Sequence, residues 1–238
     1  MASNVALEFK TEKLRADWER RCREVLQHFN LPDRRLLCGF DEEKSDWFQS
    51  IGHRDARGLH CLTQGSGLWP DFLESRRYEG ATAAFDSLVY IPMVPPTDAP
   101  FVFVVTFAHE LQHFVQYWTE PRISLANNLF YENLSMLDPS IPSYETWHVP
   151  TERDAMIKSK QVAVSLFKQE GVQGELRSLM SNDNVGKEWE YFQGLSSSAT
   201  RNLRDETDHL VKQYQNEILA HRSIWPPGID FTTNDWWK

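Results

Sequence analysis

Apolar residues recur at helical spacing over residues 11–29, at Leu14, Trp18, Val25, Leu26 and Phe29, among charged neighbours. The pattern predicts an amphipathic helix that packs one face on a core and ends before Pro32. Between residues 34 and 94 the period changes. Residues 36–40, 58–63 and 87–92 are short apolar runs bounded by Gly, Pro and Asp, as strands are. A small sheet is expected, with the Tyr90 strand near an edge, because Pro92 has no N–H to give to a ladder.

Residues 94–100 read as a turn and helix start, where Thr97 or Asp98 can cap and Pro100 is tolerated in the first turn. The helix that follows should run to about Trp118. Its first half, 101–108, is apolar on every side, which places it at the centre of the molecule. The same residues favour β-structure, so a strand entering a shorter helix is the competing reading. Further helices fit residues 125–136, 150–169 and 199–221, while 171–194 suits either a helical region or a loop. Trp225, Trp236 and Trp237 stand in an irregular tail, where large aromatics are expected to cover part of the core.

The chain has 238 residues, 41 % of them hydrophobic and 13 % aromatic, enough to build a substantial core. The pattern is organised as one domain, 1–238. It comprises an N-terminal helix and sheet at 11–94, a central segment at about 88–168, and a C-terminal helical region with a Trp-rich tail at 171–238. The net charge of −9, with basic residues scattered among acids, argues against a nucleic-acid partner. The longest apolar stretch, 100–108, is far short of a bilayer span, so no membrane partner is expected. Residues 1–10 include Glu8 and lack the apolar core of a secretory signal. Cys22, Cys38 and Cys61 are odd in number and without Cys-x-x-Cys spacing, as expected of reduced, mostly buried thiols in a cytoplasmic protein.

Within the central helix stands His109-Glu110-Leu111-Gln112-His113. Positions i and i+4 lie about 40° apart around a helix axis, so the two imidazoles point the same way, with Glu110 about 60° from His113 on that side. Two neutral imidazoles suit zinc, and the intervening carboxylate can act as general base toward a water. The motif is short enough to arise by accident, and the ordinary alternative is a pair of satisfied core histidines with a surface Glu. Its position in a buried apolar helix weighs against that, since each polar group there needs a partner to offset desolvation.

Zinc needs a third ligand, and no His follows at the spacing of the metzincin pattern. Residues 150–169 carry an apolar stripe at Ala155, Met156, Val162, Ala163, Leu166 and Phe167, and Glu152 falls on it. Asp154, about 200° from Glu152, is expected on the opposite face, where Asp154→Asn should leave metal content nearly unchanged. Asp154, His148 and Glu145 are the rivals for the third ligand, the last two in irregular chain. Glu152 alone is directed inward. Its ordinary reading is a first-turn acid that favours the helix dipole.

His109-Glu110-x-x-His113 with Glu152-x-x-Ala155 resembles the gluzincin branch of the zincin superfamily, and is similar to the small ImmA/IrrE-like intracellular proteases. The resemblance covers residues 88–168 and includes a strand that in zincins binds extended substrate along its edge. It implies an α+β fold, helix-rich, with a small sheet beside the central motif helix. It also implies one Zn2+ per chain held by His109, His113 and Glu152, with Glu110 as general base in cleavage of a peptide or protein substrate. Met156 stands where the family has Asn or Asp, which leaves the partner of the zinc histidines unassigned. Tyr131, Tyr144, His148, His209 and His221 are all chemically able to stabilise an oxyanion. A zincin-fold binding or regulatory module with little turnover is the alternative. A helical interaction protein with accidental histidines would bind no stoichiometric zinc.

Overall fold

The computed structural model describes residues 4–43, 57–62, 85–92, 94, 100–141, 145–180, 187–199 and 202–238. In chain order the elements are β1 (Val5–Phe9), α1 (Glu12–Leu26), β2 (Leu36–Phe40), β3 (Leu59–Leu62) and β4 (Ser87–Ile91). They continue with α2 (Pro100–Thr119), α3 (Pro121–Leu137), a 3-10 turn (Thr146–His148), α4 (Pro150–Met180), α5 (Lys187–Gly194), α6 (Leu203–Gln213), α7 (Gln215–Ala220) and a second 3-10 turn (Arg222–Ile224). The fold is mixed α+β, helix-rich with one small sheet.

The four strands are ordered β1-β2-β4-β3. β1, β2 and β4 run parallel, with Leu36 opposite both Val5 and Ser87, and α1 provides the long crossover that parallel β1 and β2 require. β3 runs antiparallel to β4, with His60 opposite Val89. The expected edge position of the Tyr90 strand is therefore corrected: β4 lies between β2 and β3, and β3 is at the end of the order. Pro92 falls just after the strand, where its missing N–H costs no ladder bond. The short strand β1 has no counterpart among the predicted elements. Thr97 and Asp98 lie outside the described residues.

α1 begins where Thr11 accepts a hydrogen bond from the Leu14 N–H at 3.1 Å. Its buried stripe, Leu14, Trp18, Cys22 and Val25, meets the sheet and α2 through an aromatic cluster. Trp18 lies 4.3 Å from Phe103, and Phe40 stacks on Phe9 at 4.7 Å and meets Phe107 edge-on at 5.2 Å. Each such ring, fully buried, stabilises the fold by about 1.5–3 kcal/mol. α2 is buried all along its first half and touches the sheet, α1, α3 and α4, so the central-helix expectation holds and the strand alternative does not.

α4 runs beside α2 and breaks at Lys168 (φ 63°, ψ 165°), next to the predicted end at 169, before continuing to Met180. Helix thus occupies 171–180 and 187–194, within the segment whose sequence suited helix or loop. The predicted 199–221 helix is divided at Tyr214 into α6 and α7. In the tail, Phe231 and Trp236 pack with Ile123, Phe130 and Ile218, covering α3 as expected. No helix among the described residues is long and apolar enough to cross a membrane.

Candidate metal centre

Two helices supply the cluster. His109 and His113 project from α2, and Glu152 from the first turn of α4. The start of α4 is fixed from α3: Asn127 Oδ1 accepts the Thr151 N–H, an unsatisfied donor of the first helical turn, at 3.3 Å, while its Nδ2 bonds Ile123 and Thr207. His109 Nε2 and His113 Nε2 are 2.9 Å apart. Glu152 Oε2 lies 3.3 Å from the first and Oε1 3.2 Å from the second. A tetrahedral ion with bonds near 2.0–2.1 Å would separate its ligand atoms by roughly 3.3 Å. The spacing and the donor set, two imidazole nitrogens and one carboxylate, therefore fit a small divalent cation. Among the described residues this is the one group of His, Cys, Asp and Glu so arranged.

The amide of Gln116, 4 % exposed, determines which nitrogen of His113 faces the cluster. Its Nε2 donates to the Thr151 carbonyl at 3.0 Å and to Asp154 Oδ2 at 2.8 Å, so its Oε1 must face His113 Nδ1, 2.9 Å away. Nδ1 then carries a proton and Nε2 presents a lone pair to the centre, as a metal-binding imidazole must. Gln112 also donates to Asp154 Oδ2, at 2.8 Å. The expectation that Asp154 faces away is thus corrected. It stands outside the cluster, but it anchors the hydrogen-bond chain that orients His113.

Burial lowers the His113 pKa, but the carboxylate of Glu152 outweighs it and raises the value to about 9. Burial likewise works to raise Glu152, yet the two imidazoles hold it well below the usual carboxylate range. The convergence that holds a proton at this point would hold a cation there.

Glu110, 8 % exposed, lies beside the cluster. Burial pushes its pKa up against the pull of His109 and His113, and the backbone N–H of His60 in β3 bonds its carboxylate. A Cβ at Gly58 would sit 2.6 Å from Glu110 Cγ and 2.8 Å from Oε1, so the strand approaches this closely only because residue 58 is glycine. A cavity of about 540 Å³ opens over the cluster between the edge of β3 and one face of α3, with α5 at its end. Lys160 anchors that end by donating to the carbonyls of Phe192, Gln193 and Leu195 at 2.7–2.8 Å, where α5 terminates.

Of the candidate oxyanion donors, Tyr131 lines this cavity. His148 and His209 line a second cavity beside α6, His221 caps the end of α7, and Tyr144 lies outside the described residues. Tyr131 is 44 % exposed, yet partial desolvation, with Glu152, Glu110 and Glu188 nearby, pushes its pKa up, so the phenol is protonated. His148 bonds Glu145 at 3.1 Å, so neither rival third ligand is in the cluster. Gln116, Asp154, Gly58 and His60 were not identified from sequence. Gln116 left a signal together with Gln112, as amides on the buried apolar helix that carries the two histidines. No protein-family model, curated protein or solved structure matches the chain.

Proposed function

We propose that the chain is a zinc-dependent peptidase of zincin-like, gluzincin type, with one zinc held by His109, His113 and Glu152 and with Glu110 as general base. The observation that carries this reading is the convergence of three ligand atoms from two helices with a buried, base-strength-raised carboxylate beside them. Zinc bound there would polarise a scissile carbonyl and acidify an attacking water. Glu110 takes the proton from that water and returns it to the leaving amine, a role favoured by the upward push of burial on its pKa. Tyr131, protonated and facing the same cavity, donates a hydrogen bond to the developing oxyanion. Gln116 and Asp154 keep His113 in its ligating tautomer. The three free thiols suit a reducing, cytoplasmic setting.

A second reading, a zincin-fold binding module with little turnover, is favoured by one observation: the Glu110 carboxylate is engaged by the His60 N–H beneath Gly58. Metal analysis of chain purified without added zinc tests the ion, with about one zinc per chain expected. A peptide-library digest with and without chelator then separates the readings. Chelator-sensitive cuts lost in Glu110→Gln support the peptidase, stoichiometric zinc without cuts supports the module, and absence of zinc sinks both.

A further inference from the structure

The cavity wall facing the metal cluster is one stripe of α3. Ser124, Asn128, Tyr131 and Glu132 fall at i, i+4, i+7 and i+8 and so share a face, and all four line the cavity. The opposite face of the helix, with Ile123, Ala126, Phe130 and Leu134, is buried in the core. At one end of the stripe Ser124 is 7 % exposed, and its hydroxyl has no hydrogen-bond partner among the described residues. A helical serine turned away from solvent can bond the carbonyl four residues back, here that of Glu120, and this one does not. A buried hydroxyl without a partner calls for an explanation, and a polar group entering the cavity it borders would supply its hydrogen bond.

At the other end one carboxylate stands apart. Four carboxylates line the cavity, Glu110, Glu132, Glu152 and Glu188. Glu110 and Glu152 belong to the metal cluster, and Glu188 pairs with Arg57 at 3.5 Å. Glu132 has no ion pair among the described residues and is exposed at the cavity rim. From Ser124 to Glu132 the helix rises roughly 12 Å at 1.5 Å per residue. An extended peptide advancing about 3.3 Å per residue covers that length with about four residues.

We propose that this face of α3 is the binding wall for an extended peptide of about four residues, Ser124 and Asn128 meeting its backbone and Glu132 receiving a lysine or arginine side chain. The proposal rests on the peptidase reading of the same cavity and adds the substrate class. Carboxylate recognition of a cation at an exposed rim acts on encounter and register, in keeping with a chain of net charge −9.

The test uses the zinc-loaded full chain and a mixture of random decapeptides, with products sequenced by mass spectrometry. In the wild type, Lys and Arg should be enriched at one fixed position within about four residues of the cut. Glu132→Gln should abolish the enrichment, and Glu132→Lys should convert it to enrichment of Asp and Glu, with zinc content unchanged in both. Ser124→Ala removes a hydroxyl that has no partner among the described residues, and should raise KM several-fold for all peptides while kcat stays level. Cleavage with the same charge preference in wild type and Glu132→Lys overturns the proposal and leaves the peptidase reading standing. If nothing is cut, the peptidase reading fails, and retention of the same decapeptides on immobilised zinc-loaded chain decides. Basic peptides held by the wild type and released by Glu132→Lys sustain the wall, and equal retention overturns it.

Discussion

Gly58→Ala tests Glu110 as the proposed general base without altering the three residues of the candidate metal centre. The three heavy atoms nearest the new Cβ all belong to Glu110, at 2.6, 2.8 and 3.0 Å, where an ordinary contact needs about 3.5–4.0 Å. The side chain, or the strand, must therefore shift by about 1 Å. Glu110 is enclosed on a packed helix, and moving it means giving up the hydrogen bond from His60. Misplacement of a reacting group by about 1 Å costs on the order of 100-fold in rate, and overpacking a filled site costs about 1–3 kcal/mol. We expect Gly58→Ala to keep one zinc per chain, measured by mass spectrometry of the metal. We expect kcat/KM on the best library peptide to fall about 100-fold, and Tm to drop by several degrees. The double variant Gly58→Ala, Glu110→Ala removes the clash, so residue 58 should cost little stability in that background. Wild-type turnover in Gly58→Ala, or an equal loss of Tm in both backgrounds, would refute the reasoning.

Glu110→Gln should retain zinc and fold while hydrolysis disappears, since the amide keeps the size of the carboxylate but cannot accept the proton; chelator-sensitive cleavage at the wild-type rate excludes Glu110 as base. Glu152→Ala should nearly abolish zinc binding and lower Tm, and Asp154→Ala should weaken zinc about 10–100-fold by removing the acceptor of the Gln116 amide that orients His113, while Asp154→Asn, which keeps an acceptor oxygen, should weaken it less, all read by competition with a chromogenic chelator. Burial, with His113 nearby, lowers the His60 pKa from 6.5 to about 3, so only the unfolded chain takes up that proton as pH falls. Stability should decline from about pH 6.5 toward 3 by about 2 kcal/mol after allowance for partial exposure, and urea melts of His60→Gln should lack this part of the acid loss. Lys168 occupies a backbone region almost reserved for glycine, so Lys168→Gly should raise stability by about 1 kcal/mol, visible as a Tm higher by a few degrees.

The helices legible in the sequence are those whose burial is periodic. Leu14, Trp18 and Val25 mark α1 to within three residues of its end, and the all-round apolar run 101–108 marks α2 as central. Order within the sheet was not legible, because it depends on pairings between strands far apart in the chain. Pro92 reads as an edge signal in the sequence, yet it stands one residue past the strand, where it bears on no ladder bond. β1 is five residues long with only Phe9 fully buried, too little to register as a period. The break at Tyr214 leaves α6 and α7 with a shared apolar stripe, so spacing alone shows one helix.

At the cluster, the two histidines were legible because i and i+4 on one helix fix their relation, and Glu152 because the stripe beginning at Ala155 turns it inward. The same angular argument misplaced Asp154. A stripe governs a helix packed along its length, but in the first turn the chain end leaves neighbours free to approach from either side. Glu152 and Asp154 reach α2 on both sides of that turn, with the Thr151 carbonyl taken by Gln116 between them. The counterpart on α2 was present in the sequence all along. His109, Gln112, His113 and Gln116 stand at i, i+3, i+4 and i+7, a polar stripe on a helix whose other faces are apolar. Two of its members are metal ligands by type, and the other two are amides. An imidazole ligand needs its outer nitrogen held, and an amide does so only when its own orientation is fixed by a further acceptor. The two glutamines therefore required a carboxylate outside α2. Since Glu152 is spent on the centre, Asp154 is the acid in that turn left to serve them.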